Sequence, residues 1–134
     1  MRLGPEDREQ LALVNYIRLN NLAHWHPIQE NVIKQPGYWS KMKMMGWNKG
    51  LSDMIVYIPS ERCKSKSGAL VFIELKKRRT LKKSGEFKKI SSDGISVSEE
   101  QIEFIESVNT VTGCQGAICY GSDEAISFIE QFLI

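Results

Sequence analysis

At 134 residues the chain has the length of one domain, residues 1–134, and can bury a single core. Hydrophobic residues make up 42% and charged residues 25%, and no stretch approaches the roughly 20 apolar residues of a membrane span. The net charge of +2 is too small to mark a partner by itself, so any electrostatic role has to come from where the charges lie. The opening MRLGPEDREQ has no apolar signal-peptide core. The three cysteines, Cys63, Cys114 and Cys119, are an odd number without paired zinc spacing. A reducing cytoplasm and inert thiols are the expectation.

In chain order, Gly4-Pro5 opens a helix, with Pro5 in the first turn, where a missing N–H costs nothing. Glu6 and Asp7 answer the helix dipole. Leu11, Val14 and Ile17 recur at helical spacing and carry the helix to about Asn20. A short strand is predicted over Ile28 to Ile33, closed by Pro36-Gly37, followed by a long loop to Gly50. LSDMIVYIP and ALVFIEL read as two strands joined by the polar turn SERCKSKSG. Ser98 is a good N-cap for a helix carrying Ile102, Ile105 and Val108. AICY is a short strand, and Ser122 caps a last helix with Ile126, Ile129 and Phe132. The fold class is α/β: a single domain with a small mixed β-sheet flanked by helices.

Charge is concentrated after the second long strand. Lys76 to Ile90 reads KKRRTLKKSGEFKKI, eight basic residues and one acid out of 18 basic residues in the chain. Such a strip is either a lysine-solubilised loop or a contact for a polyanion. The loop from Pro36 to Gly50 mixes Tyr38, Trp39 and Trp47 with Lys41, Lys43 and Lys49. Rings that stack on unpaired bases and lysines that answer phosphates suit DNA. The same aromatics and Met42, Met44 and Met45 equally suit packing over the sheet or against a second subunit. His24 and His26 flank Trp25 but lack acidic or cysteine partners at zinc spacing, so they read as structural.

The two long strands each carry one carboxylate in apolar company. Asp53 sits among Leu51, Met54, Ile55 and Val56. Alternation puts Leu70, Phe72 and Glu74 on one face of the other strand, with Lys76 following on that face. Buried carboxylates are costly unless paired or bound to metal, and two close together need a cation between them. A hard divalent ion completed by water meets that need, and the lysine beside it can stabilise charge or position an attacking water. Taken singly, Glu74 and Lys76 also read as the polar end of a strand, and Asp53 as the cap of a turn after Gly50.

The ordered set resembles the PD-(D/E)xK nuclease superfamily and, more narrowly, the VRR-NUC (virus-type replication-repair nuclease) domain. PEDREQLALVNYIRL is similar to that family's opening helix, with Glu6 and Gln10 at its Glu-x-x-x-Gln. GWNKGLSD resembles the segment leading to the motif aspartate, Asp53. FIELKK matches E-x-K at Glu74 and Lys76, and SVSEEQIEFIESVNTVTG is similar to the next helix, with Gln101. The family commonly has proline where this chain has Ser52. The resemblance implies a restriction-endonuclease-like core holding Mg²⁺ or Mn²⁺ on Asp53, Glu74, the Leu75 carbonyl and Glu6, with Lys76 catalytic and Gln101 in the site. Glu9 and Glu30 are rivals to Glu6, and Ser98-x-x-Gln101 is also a capping box. DNA contacts would fall on Lys77, Arg78, Arg79, Lys82, Lys83, Lys88 and Lys89, and on Lys41, Lys43 and Lys49. Small stand-alone members resemble Holliday-junction resolvases, which implies a DNA endonuclease acting on branched DNA. The apolar C-terminus and the methionine-rich loop point to a homodimer. A flap or nicking nuclease, or a non-catalytic nucleic-acid-binding module such as one in phage replication, stays open.

Overall fold

The computed structural model describes residues 2–27 and 34–134. Helix α1 spans Pro5–Leu19, β1 Ala23–Trp25, α2 Tyr38–Met44, β2 Met54–Ile58, β3 Ala69–Lys76, α3 Glu99–Val108, β4 Cys114–Tyr120 and α4 Ser122–Glu130. The sheet order is β1-β2-β3-β4. β1/β2 and β2/β3 are antiparallel, whereas β3 and β4 run parallel across the α3 crossover. The expected mixed sheet with flanking helices is the architecture found.

Alternation along β3 sorts the layers. Val71, Ile73 and Leu75 point to a core shared with Leu13 and Ile17 of α1 and Ala125 and Ile129 of α4. Fully burying side chains of this size stabilises by about 1.5–3 kcal/mol each. The opposite face meets α3 through the edge-to-face pair Phe72–Phe104. That face is only partly covered: Leu70 is exposed, while Glu74, farther along, is buried.

Several local readings change. The buried stripe of α1 is Leu13 and Ile17; Leu11 faces solvent. Ile102 is likewise exposed on α3. The strand predicted over residues 28–33 lies outside the described residues, and β1 forms just before it, where His24 pairs with Val56. The long loop contains α2, whose Trp39 packs against Trp47 at 4.6 Å. Asp53 stands just before β2 rather than inside it. Ser98 does cap α3, accepting from the Gln101 N–H. Ser122, by contrast, is the first residue of α4, after the N-cap Gly121, and Glu9 of α1 provides the acceptor for its N–H and hydroxyl.

The apolar C-terminus folds back. Leu133 bridges Cys63, and the Ile134 N–H donates to the Arg62 carbonyl at 3.0 Å. Phe132 and Leu133 pack on the core, and only Ile134 stays exposed. Strand β4 is an edge with three of its N–H groups taken locally. Cys114 donates to the Val111 carbonyl, Gly116 to Asn109 Oδ1 and Tyr120 to Glu124. Asn109 Nδ2 in turn donates to the Gly116 carbonyl. Among the described residues no helix is long and apolar enough to cross a membrane.

Candidate active site

The antiparallel pairing of β2 and β3 brings the segment entering β2 beside the end of β3. Asp53 Oδ2 accepts the Leu75 N–H at 2.8 Å, which anchors its carboxylate on β3. The carboxyls of Asp53 and Glu74 stand close enough for the charge of Asp53 to raise Glu74. The two residues singled out from separate strands are therefore neighbours. His26, read as structural, donates from Nδ1 to the Asp53 carbonyl and helps set that residue's backbone.

Lys76 and Gln101 complete the cluster. Lys76 Nζ lies 3.4 Å from Glu74 Oε1, with both side chains nearly excluded from solvent. Gln101 Nε2 donates to the same Glu74 oxygen at 2.8 Å. Gln101 Oε1 accepts from Lys76 Nζ at 3.1 Å and from the Ser98 N–H at 3.0 Å. One amide thus closes the capping box and ties Glu74 to Lys76, so both readings of Gln101 are met by a single side chain.

The loop before Asp53 also buttresses this arrangement. Gly50 has φ +99°, and a Cβ there would stand 2.3 Å from the Glu100 carbonyl oxygen. Only glycine lets the loop press so closely on the first turn of α3, next to Gln101. Ser52, the departure from the family's proline, is fully buried, and its hydroxyl has no hydrogen-bond partner among the described residues.

The electrostatics follow from burial. Burial and the neighbouring Asp53 charge push Glu74 up to about 8, against the pull of Lys76. Burial also raises Asp53, opposed by the Leu75 N–H and the charge of Lys76. Burial and the Asp53 charge both favour the protonated form of Glu74 in the metal-free protein. Burial pushes the Cys119 thiol up to about 12, which suits the inert role expected of the cysteines.

The donor set fits a hard divalent cation. Two converging carboxylates and the strand carbonyl at Leu75 are oxygen donors, and their excess negative charge is what a cation relieves. Among the described residues there is no group of three or more His, Cys, Asp or Glu that could hold a metal. Mg²⁺ and Mn²⁺, which keep several waters, are suited to so few protein ligands; a closed zinc site is not.

Other predicted residues fall elsewhere. Glu6 is exposed in the first turn of α1, and no bond joins it to Asp53, Glu74 or Lys76. Its rival Glu9 instead pairs with Arg78 at 3.1 Å and caps α4. Glu30 lies outside the described residues. Arg78 also reaches Asp123 at 2.9 Å, and Arg79 sits over the Phe87 ring, so both arginines have partners within the chain. Lys82, Lys83, Lys88 and Lys89 are exposed beyond β3, and Lys41, Lys43 and Lys49 are exposed on and after α2. Gly50, in the segment leading to Asp53, was in view without its close approach to α3; the contact of His26 with Asp53 and that of Phe87 with Arg79 were missed, and the charge run hid the pair Leu81/Phe87 about Ser84-Gly85.

A mixed sheet whose central antiparallel pair ends on an Asp–Glu pair and a lysine defines the class of fold implied by Asp53 and Glu74-x-Lys76. The particular likeness is to the solved structure of a protein described as a VRR_NUC domain protein, with a TM-score of 0.57 at 20% sequence identity. The match covers 98% of this chain and 90% of that one, so the expected VRR-NUC fold is the fold found over nearly the whole length. No protein-family profile matches the chain, and no curated protein matches it.

Proposed function

We propose that this protein is a divalent-metal-dependent endonuclease that hydrolyses phosphodiesters in branched DNA, working as a homodimeric Holliday-junction resolvase. The observation that carries the reading is the buried Asp53–Glu74 pair with Lys76 tied to Glu74 through Gln101. The fold likeness to a VRR_NUC domain protein agrees with it. Asp53, Glu74 and the Leu75 carbonyl would hold Mg²⁺ or Mn²⁺. When bound, that ion supplies neutralisation of phosphate charge and a more acidic water. Lys76, fixed in direction by Gln101, donates to the phosphate oxygen on which charge builds or orients the attacking water. Lys82, Lys83, Lys88 and Lys89, beyond the same strand, lie where flanking phosphates can meet them. Exposed Trp25, Met44 and Met45 offer apolar surface to a second subunit; the folded-back C-terminus offers only Ile134.

The test is a labelled panel of duplex, flap and four-way-junction DNA, incubated with Mg²⁺ or with EDTA. Selective, Mg²⁺-dependent cutting of the junction, lost in Asp53→Asn, is the expected result. Selective cutting of flaps would move the substrate assignment. Binding without any cutting would favour a non-catalytic module. Light scattering decides the assembly: a mass near that of one 15.3 kDa chain, with and without junction, removes the dimer.

A further inference from the structure

The segment after β3 is folded, despite its charge. Leu81 and Phe87 face each other across an isolated antiparallel bridge. The Lys82 N–H donates to the Glu86 carbonyl, the Gly85 N–H to the Lys82 carbonyl and the Lys88 N–H to the Thr80 carbonyl. Residues 80–88 therefore form a small hairpin, pinned at its base by Asp93, which accepts the Thr80 N–H at 2.9 Å. Residues opposed in a bridge put their side chains on the same face. Here that face carries two large apolar side chains, Leu81 at 54% and Phe87 at 51% exposure. Their adjacency in water serves no core.

Phe87 is also held from behind. The Arg79 guanidinium lies 4.7 Å from its ring centroid and 5.5 Å from that of Tyr120, and Arg79 donates to the Lys88 carbonyl at 2.8 Å. Tyr120 is the register partner of Lys76. Phe87 thus stands at the outer end of a Tyr120–Arg79–Phe87 series that starts beside the candidate catalytic lysine. Around it, Lys82, Lys83 and Lys89 are exposed and have no carboxylate partner among the described residues. An exposed ring set among unpaired lysines is complementary to a base and its phosphates, and DNA presents a base face where stacking is interrupted, as at a branch or an unpaired base.

We propose that the hairpin of residues 80–88 is a stacking platform for an unpaired nucleobase at a DNA branch point. Phe87 lies against the base with Leu81 beside it, and Lys82, Lys83 and Lys89 hold the flanking phosphates. The proposal rests on the DNA reading above and names the feature of a branch that the protein senses.

The experiment measures binding by fluorescence anisotropy in EDTA, where no cleavage is needed. The probes are a duplex bearing a short single-stranded arm and the same DNA with one unpaired base near the branch replaced by an abasic residue, position by position. The wild type should lose about 5- to 150-fold in affinity at one position, the range that stacking on one aromatic side chain supplies. Phe87→Leu, which keeps an apolar residue in the bridge, should bind both probes alike, and Phe87→Trp should restore the difference. Both variants should bind fully paired duplex as the wild type does and match its melting temperature. A wild type indifferent to the abasic residue at every position overturns the proposal, and so does Phe87→Leu with its discrimination intact. Self-association lost in Phe87→Leu without base dependence would hand the platform to a second copy of the chain, and so overturn it too. Base-dependent binding without cleavage of any substrate would sink the nuclease reading alone. Junction cleavage without base dependence would sink this one alone.

Discussion

Two triads of charge stand at the end of β3, and each sets two carboxylates against one cation. One is Asp53, Glu74 and Lys76; the other is Glu9, Asp123 and Arg78, two residues further along the chain from Lys76. Their composition is alike and their surroundings are opposite. The first is buried, so its surplus negative charge has no water to screen it, and Glu74 rises to about 8. In the second, Arg78 and Asp123 are 56% and 77% exposed. Burial works to raise Glu9 as well, but hydrogen bonds from Arg78 and Ser122 outweigh it and hold that carboxyl low. The same charge count produces a buried carboxyl pair whose charges repel in one place and a structural clamp between α1, β3 and α4 in the other.

The sharpest way to break this contrast is Glu74→Gln. Cleavage should fall by on the order of 10³-fold, because the charge stabilisation worth several kcal/mol that a held cation provides is lost. The metal-free protein should at the same time melt no lower than the wild type above about pH 8, since a repelling buried charge has been removed. Near-wild-type cleavage by this variant would end the metal-site reading. Next in size is Gln101. Gln101→Ala releases Lys76 and Glu74 and opens the capping box, and cleavage should drop by roughly 10- to 100-fold. Gln101→Glu keeps an acceptor for Ser98 but cannot donate to Glu74. If it cleaves like the wild type, Gln101 acts only as a cap.

The triads should also tilt stability against pH in opposite directions. Between the ordinary carboxylate range and about pH 8 the native metal-free protein keeps a proton on Glu74 that the unfolded chain has lost. Its stability therefore falls as pH rises through that window, by at most about 1.4 kcal/mol per pH unit for one proton. Glu9 is held low, so its contribution is present above the ordinary carboxylate range and lost as pH falls through its native value. Denaturant titrations in EDTA from pH 2 to 9 would show both slopes. A flat profile above pH 5 in the wild type would remove the buried-pair account. Smallest of all is Arg78→Ala, expected to cost about 0–1 kcal/mol and to shrink further in high salt, because two of the three groups face water. A loss well beyond that range would mean that the exposed triad is less screened than its burial implies.

Why one triad was legible in the sequence and the other was not follows from range. Asp53 and Glu74-x-Lys76 lie in apolar strands, where a lone carboxylate contradicts its neighbours and attracts notice. Glu9, Arg78 and Asp123 sit among ordinary surface charges, and only the fold brings them together, through bonds that span 69 and 45 positions. The α3 cap was readable because Ser98 and Gln101 act over three residues. β1 was not, since its three residues have no alternation to show and take their register from β2. Leu11 and Leu13 are equally apolar, and only the direction of the sheet decides which is buried. The hairpin was masked by lysine: composition registered eight charges and passed over the Leu81–Phe87 pair between them.

The local capping of β4 bears on how copies of this protein can meet. Fibres and amorphous aggregates grow when a bare strand edge templates another strand. Along β4 the donors that such a strand would need at Cys114, Gly116 and Tyr120 are already occupied, and Asn109 also fills the Gly116 carbonyl. That border of the sheet is sealed against recruitment at those three positions. A symmetric assembly through continuous strand pairing is left with the other border, β1, where Trp25 stands exposed. Growth from both borders, which is what an endless ribbon requires, is thereby opposed along β4.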